Sequence, residues 1–571
     1  MAHVVTQACC GDASCVFACP VNAIHPTPDE PDFGLAEMLY IDPVSCVDCG
    51  ACVTACPVGA ITAGDGVADD QLPFVEINAL FHAEPRTHPP QAPVTPVVAK
   101  EPDREVRVAI VGSGPAALYA ADELLKRRGV RVTVIDRLPT PHGLVRAGVA
   151  PDHPATTSIE GLFRQIEDQD GFSYRLGVEV GSDVSPTELA AHHDAVIYAT
   201  GASQDRRLGI DGEDLPGSAT ATAFVAWYNG HPDHAHHAFD LSTGRAVVVG
   251  NGNVALDVAR ILATDPERLA TTDIADHALE ALRGSAVREI VLLGRRGAAD
   301  AAFTLPELVG LAGRDDIDIV VEGDDLASAS GDRLAAARLD VLRSAAARPP
   351  RPGNRRIVFR FASSPVAFEG RDRVGAVVVR RNELVTRDGV VHADPTAGLD
   401  TVETALVLRS IGYRGVAVPG VPFDDATGTI PHEAGRVVGL PGTYVVGWIK
   451  RGPSGFIGTN KACAQETVDT LIDDLNAGML AAPVGSGRAF DELVGSRTQG
   501  PVDVTGWRRI DRRERLAGLP DSRPRRKLVR LDEMFDAARE VPIRRRDRHN
   551  GGRRRAVSAL WSGGRRRSRP E

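Results

Sequence analysis

The chain has 571 residues, 43% apolar and 25% charged, a balance that calls for several globular domains with sizeable cores. No run approaches ~18 apolar residues, which excludes a helical membrane span. The opening Met1-Ala2-His3 starts no basic-then-apolar leader, so a cytoplasmic location is expected.

The net charge of −11 is unevenly spread. Residues 1–80 hold eleven acids and no Lys or Arg, whereas residues 541–571 hold eleven Arg against two acids. The pattern predicts an acidic module, a mildly acidic body and a basic tail. Cysteines are as skewed: eight of nine lie in the first 56 residues, and only Cys463 lies beyond them. Disulfide frameworks suit small secreted domains, so ligation of a metal or cluster is the better reading of this large chain.

In residues 1–80, Cys46, Cys49, Cys52 and Cys56, followed by Pro57, form C-x2-C-x2-C-x3-C-P. That run turns three thiolates toward one iron–sulfur cluster and sends the fourth to another. Zinc ribbons instead set two C-x2-C pairs ~15–20 residues apart. An earlier copy places Cys9, Cys15 and Cys19 on ligand positions, with Asp12 where the second cysteine belongs. The copies stay in register, Cys19-Pro-Val-Asn-Ala-Ile24 against Cys56-Pro-Val-Gly-Ala-Ile61, so two clusters with crossed ligation are expected. Cys9, Cys15 and Cys56 would hold the first; Cys19, Cys46, Cys49 and Cys52 the second. A carboxylate is a weaker iron ligand than a thiolate, so the first cluster is either three-iron or a four-iron cluster with a labile corner. Cys10 is either a small buried thiol or a substitute ligand.

Residues 81–105 carry six prolines and no apolar period, and read as an extended tether. A strand at Val106–Val111 then runs into Gly112-Ser-Gly114-Pro115-Ala-Ala117, a helix to Leu125, and a second strand ended by Asp136. This is a dinucleotide fingerprint with an acid at ribose distance. A second unit runs from Ala246–Val249 into Gly250-Asn251-Gly252-Asn253-Val254-Ala255 and a helix. Its next strand, Ile290–Leu293, ends in Gly294-Arg295-Arg296, and two guanidiniums there suit a 2′-phosphate. An acidic and a basic fingerprint in one chain read as FAD plus NADP(H).

Further segments, Leu138–Arg146, Gly148–Pro154, Ala199–Gly201, Asp205-Arg206 and Gly447–Asn460, resemble the signatures of adrenodoxin-reductase-like ferredoxin–NADP reductases. With the cysteine module, the chain over residues 1–540 is similar to the ferredoxin/ferredoxin–NADP reductase fusions of that family. The resemblance implies a small α+β two-cluster ferredoxin domain followed by an α/β reductase. In it, a Rossmann-like NADP domain (209–411) is inserted into a Rossmann-like FAD domain (106–208 and 412–540). Residues 541–571, Arg triplets separated by Gly with little apolar content, read from their composition as a disordered tail. The resemblance further implies FAD contacts at Pro115, Asp136, Leu144, Trp448, Gly455, Phe456 and Ile457. NADP contacts fall at Arg206, Asn251, Asn253, Val254, Arg295, Arg296, Glu307 and Gly455. His153, Asp257 and Glu307 are the polar groups expected near nicotinamide and flavin, and the helix opening near Ile457–Asn460 would aim its dipole at the flavin.

The expected activity is reversible hydride transfer between NADPH and FAD, with single electrons passed through the chain's own clusters to a ferredoxin or another one-electron acceptor such as a haem protein. A thioredoxin-reductase-like enzyme would need a C-x-x-C near the flavin, and the body has only Cys463. A relative of the glutamate synthase small subunit is the alternative, disfavoured by the Gly143–Arg146 and Gly447–Gly455 elements. A nucleic-acid-binding redox sensor would leave both fingerprints idle, and the tail lacks aromatic interleaving, so no specific nucleic acid is expected.

Overall fold

The computed structural model describes residues 2–83, 104–322, 326 and 333–540; most of the expected linker and the whole Arg-rich tail lie outside them. In the acidic module two short antiparallel ladders, His3–Val5 with Ile61–Ala63 and Ile24–His25 with Tyr40–Ile41, carry the two cysteine runs. Each run turns through a left-handed residue, Ala13 or Gly50, into a five-residue helix, Ser14–Ala18 or Ala51–Ala55. Each helix ends on an extended cysteine, Cys19 or Cys56. The Ala23 and Ala60 amides donate to the Cys19 and Cys56 sulfurs at 3.2 Å, so the duplication read in sequence is also a duplication of hydrogen bonds. Helix Pro73–Phe81 closes the module through Asn78, whose carboxamide oxygen accepts the Val5 and Ile41 amides and so joins the two ladders.

The body contains two parallel sheets. One runs in the order Thr443–Val445, Ala195–Tyr198, Val106–Val111, Val130–Asp136, Phe172–Leu176, with a short antiparallel edge at His432–Val437. Its strands come from both ends of the body, because the other sheet lies between them in sequence. That sheet is Ser218–Thr220, Leu406–Arg409, Arg245–Val249, Glu289–Leu293, Arg355–Arg360, Ile317–Glu322, all parallel. Near-continuous Val/Ile/Leu strands are what burial on both faces requires. A three-stranded antiparallel sheet, Ser363–Glu369, Ala376–Arg387 and Val390–Glu403, flanks the inserted domain.

Two packing features position the site. First, Leu305 and Val309 of the inserted domain complete the apolar core of the acidic module, while Cys10, Val58 and Ala60 of the module join the core of the first domain. Second, the C-terminal helices Val504–Gly518 and Leu531–Arg539, with the segment between them, join both domains. Glu514 accepts from Arg146 at 2.6 and 3.0 Å, Arg525 pairs with Glu160, Arg523 donates to the Thr272 and Ile274 carbonyls, and Lys527 bonds Asp273, Asn229 and the Arg146 carbonyl. Trp507 packs beneath His142 at 5.5 Å. Burial opposes charge on that imidazole, yet Glu160 and Glu167 raise it above its ordinary value.

Candidate redox site

The first fingerprint turn depends on glycine at two points for different reasons. Gly112 has φ +102, and a Cβ there would collide with the Ala199 carbonyl oxygen. Gly114 is extended, and a Cβ on it meets nothing within 4 Å, so its face is open to an approaching group. Pro115 begins helix Pro115–Leu125, and Ala117 is wholly buried. Asp136 ends the next strand and ties the turn down, accepting the Ser113 amide at 2.9 Å, the Ser113 hydroxyl at 2.6 Å and the Leu138 amide at 2.9 Å. Burial still lifts its carboxyl above the ordinary range.

The other FAD-side residues converge on this turn. The His142 amide donates to the Ser113 carbonyl, and a Cβ on Gly143 would lie 3.1 Å from the Gly114 Cα, which brings Leu144 alongside. Gly447 approaches so closely that a Cβ would lie 2.7 Å from the Ala116 Cβ, placing helix Trp448–Arg451 beside the fingerprint helix. Gly455, Phe456 and Ile457 follow in a loop held by Asn460, whose amide donates to the Phe456 and Ile457 carbonyls. The Thr200 hydroxyl, beyond the carboxyl end of Ala195–Tyr198, is buried without a protein partner. An open glycine face, a buried unpaired hydroxyl and a closed ring of signature residues fit FAD.

The second fingerprint repeats the geometry. Gly250 has φ +121 against the Ser410 carbonyl, Gly252 faces open space, and helix Asn253–Ala263 follows. Asn251 lies beside Gly294, Asn253 accepts the Thr304 amide at 2.8 Å, and Val254 is half-buried in the first turn. Arg295 is exposed and Arg296 half-buried at the next strand end; Arg206 is exposed beside Gly412. Among the described residues none of these three guanidiniums has a hydrogen bond or ion pair. Three free guanidiniums beside an open glycine turn fit a phosphorylated dinucleotide.

Between the domains, one ligand atom from each of His153, Asp257 and Glu307 lies within 4.8 Å of the others. His153 Nε2 is 3.9 Å from Glu307 Oε2, an oxygen that is buried without a hydrogen-bond partner. Burial and then Asp257 push the Glu307 carboxyl above its ordinary range, with His153 pulling it back. Sequence reasoning missed the support for this group. Arg260, 4% exposed, bonds Asp152 at 2.8 and 2.9 Å and Asp257 at 2.8 Å. Despite burial, Arg260 holds the Asp152 carboxyl down to about 2.

In the acidic module, Cys19, Cys46, Cys49 and Cys52 line one small cavity, which brings the first run's last cysteine to the second run's three. Cys9, Cys15 and Cys56 stand together with Asp12, and burial pushes the Cys9 and Cys52 thiols up to about 11. Crowded thiols with suppressed ionisation fit a cationic centre, which deprotonates its ligands outright. The group of Cys9, Cys15 and Cys56 faces the reductase. The Gly458 amide, at the start of helix Thr459–Asn476, donates to the Cys10 carbonyl at 2.7 Å, so that end of the helix is turned to the module. Lys461 Nζ donates to Ser14 Oγ at 2.7 Å and lies 3.7 Å from Asp12. On the other domain, Glu37 accepts the Leu305 amide at 2.8 Å and pairs with Arg338. Sequence offered one hint of this docking: a module without Lys or Arg must find ammonium or guanidinium partners for Asp12 and Glu37 elsewhere.

Residues 8–60 match the family of 4Fe-4S dicluster domains, and residues 106–291 match the pyridine nucleotide-disulphide oxidoreductases. A probable ferredoxin/ferredoxin–NADP reductase of Mycobacterium tuberculosis is 50% identical over 573 residues, covering 96% of this chain and 97% of that protein. The chain belongs to the ferredoxin/ferredoxin–NADP reductase family. A related protein of Mycobacterium leprae is 48% identical over 95% of this chain and 99% of its own. The reductase FprA of M. tuberculosis, solved in complex with NADPH, is 48% identical, with a TM-score of 0.74 over 76% of this chain and all of that one. This protein is accordingly an FAD-dependent ferredoxin–NADP reductase with its own dicluster ferredoxin domain. No helix among the described residues is long and apolar enough to cross a membrane.

Proposed function

We propose that this reductase passes electrons from NADPH through its own two clusters, first the one facing Gly458 and then the one beside the exposed Cys49, to an external one-electron acceptor such as a ferredoxin or haem protein. The observation that supports this order is the bond from the Gly458 amide to the Cys10 carbonyl, which seats the first cluster's loop directly after the FAD signature. When bound, FAD takes up a hydride and releases electrons singly, and the clusters carry them one at a time.

The chain's own residues supply position and charge. Gly112, Gly114, Pro115, Ala117, Asp136, Leu144, Trp448 and Gly455–Ile457 hold the flavin. Gly250–Val254 hold the coenzyme pyrophosphate, and Arg206, Arg295 and Arg296 neutralise its 2′-phosphate. Glu307, Asp257 and His153 border the nicotinamide, and the Asp152–Arg260 pair keeps Asp257 in place. Cys9, Cys15 and Cys56 hold the first cluster, which we read as three-iron, and Cys19, Cys46, Cys49 and Cys52 hold the second as four-iron.

An anaerobic NADPH titration followed by optical and EPR spectra tests the path. Both clusters are expected to be reduced at a rate independent of protein concentration, since tethering and docking keep donor and acceptor together. A chain beginning at Arg104 should keep FAD and ferricyanide reduction but lose cytochrome reduction. Undiminished cytochrome reduction by that shortened chain would refute the relay.

A further inference from the structure

Asp12 stands where the first cysteine run has no thiolate, yet its carboxylate is already engaged. Its side chain is 4% exposed. Oδ1 accepts the Ser14 amide at 3.1 Å and Oδ2 accepts the Ser14 hydroxyl at 2.5 Å. Lys461 approaches Oδ2 to 3.7 Å while donating to that same hydroxyl. Residues 1–80 contain no Lys or Arg, so the only ammonium or guanidinium paired with this buried carboxylate among the described residues comes from the reductase. It comes, moreover, from the first turn of the helix whose leading amide holds Cys10.

We propose that Lys461 is a positioning residue that holds Asp12 away from iron, so that the first cluster is built and kept with three irons. The reductase thereby sets the metal content of the ferredoxin module docked on it. A carboxylate competes poorly with thiolates for iron. To become a ligand, Asp12 must surrender two hydrogen bonds from Ser14 and leave a partly buried ammonium without its counter-charge, an outcome the buried side of the site penalises. Removing the ammonium tips that balance, because the carboxylate then keeps its own buried charge and loses the cation that offset it. Ferrous iron at the open corner becomes its best partner. The addition is balanced: a reduced three-iron cluster plus one Fe(II) gives a four-iron cluster with no net electron transfer.

This inference rests on the proposed assignment of Cys9, Cys15 and Cys56 to the first cluster, and the experiment separates the two. The full-length protein is reduced anaerobically, incubated with excess Fe(II), desalted, and assayed for iron per chain and, after mild oxidation, for the three-iron EPR signal. FAD content and the second cluster's four-iron signal report folding. The parent should keep its three-iron signal, and Lys461→Arg should match it. Lys461→Gln should lose that signal and gain one iron per chain. Adding Asp12→Asn to Lys461→Gln should restore the parent behaviour, because the released ligand is gone.

Two results overturn the inference. In one, Lys461→Gln, correctly folded, stays three-iron like the parent. In the other, the parent itself takes up the fourth iron and loses that ability on Asp12→Asn. A parent that is four-iron regardless of Asp12 but becomes three-iron on Cys10→Ala would instead overturn the ligand assignment beneath it.

Discussion

Gly458→Ala probes the docking of the module with a single methyl group. Gly458 has φ −72° and ψ −25°, a conformation alanine adopts without strain, so the change should not disturb the helix it begins. The added Cβ would fall inside the envelopes of the Asp12 amide nitrogen and the Gly11 carbonyl carbon. Both are backbone atoms that cannot swing aside, and ordinary carbon contacts need ~3.5–4.0 Å, so the module must retreat by about 1 Å or more. That retreat also breaks the 2.7 Å bond to the Cys10 carbonyl. Overpacking of this kind costs about 1–3 kcal/mol. At 1.4 kcal/mol per tenfold, the docking equilibrium constant should fall roughly 5- to 150-fold. Stopped-flow mixing with NADPH should show cluster reduction slowed, by at most that factor, while FAD content and ferricyanide reduction stay at parent values. Cluster reduction at the parent rate in a protein of normal FAD content would refute the docking geometry.

Replacing Arg295 and Arg296 by Ala should remove two charge-assisted contacts of about 1.5 kcal/mol each, lowering kcat/KM for NADPH about 100-fold and leaving NADH nearly unaffected. Equal losses with both coenzymes would remove the phosphate assignment. Glu514→Ala leaves Arg146 buried without its partner, which should cost about 3–5 kcal/mol and lower the temperature of FAD release. Asp152, held near 2 against an ordinary value of 3.8, stabilises the folded protein by about 2–3 kcal/mol above pH ~4, a contribution lost as pH falls toward 2. The stability gap between parent and Asp152→Asn should therefore be constant above pH ~4 and shrink below it; a gap that persists to pH 2 would show that the carboxylate's charge is not what matters.

The features legible in the sequence are those whose chemistry is local. Cluster ligation needs cysteines at fixed short spacing, and a dinucleotide turn needs glycine where a Cβ would strike the neighbouring strand, as at Gly112 and Gly250. Both leave marks within a dozen residues. The trio of His153, Asp257 and Glu307 was visible only through resemblance, because three strangers in sequence meet between two domains. Its Arg260–Asp152 support left no mark, since an Arg on the second turn of a helix reads as solvated surface. The docking contacts were hidden for the same reason: Lys461 and Ser14 are 447 positions apart, and Glu37 and Leu305 are 268 apart. Only the absence of Lys and Arg from residues 1–80 pointed outward.

The segment Arg523–Lys527 gives the order of synthesis a physical meaning. Lys527 reaches back 298 positions to Asn229 and 381 to the Arg146 carbonyl, so the two dinucleotide-binding domains acquire their shared fastening only long after these partners have been made. At about 5–20 residues per second, roughly 15–60 s separate the appearance of Asn229 from that of Lys527. Within that interval the inserted sheet is completed by Leu406–Arg409 and the first sheet by Thr443–Val445, so the strands of both precede their fastening. The late-made clasp thus locks together two domains whose sheets are already complete in sequence.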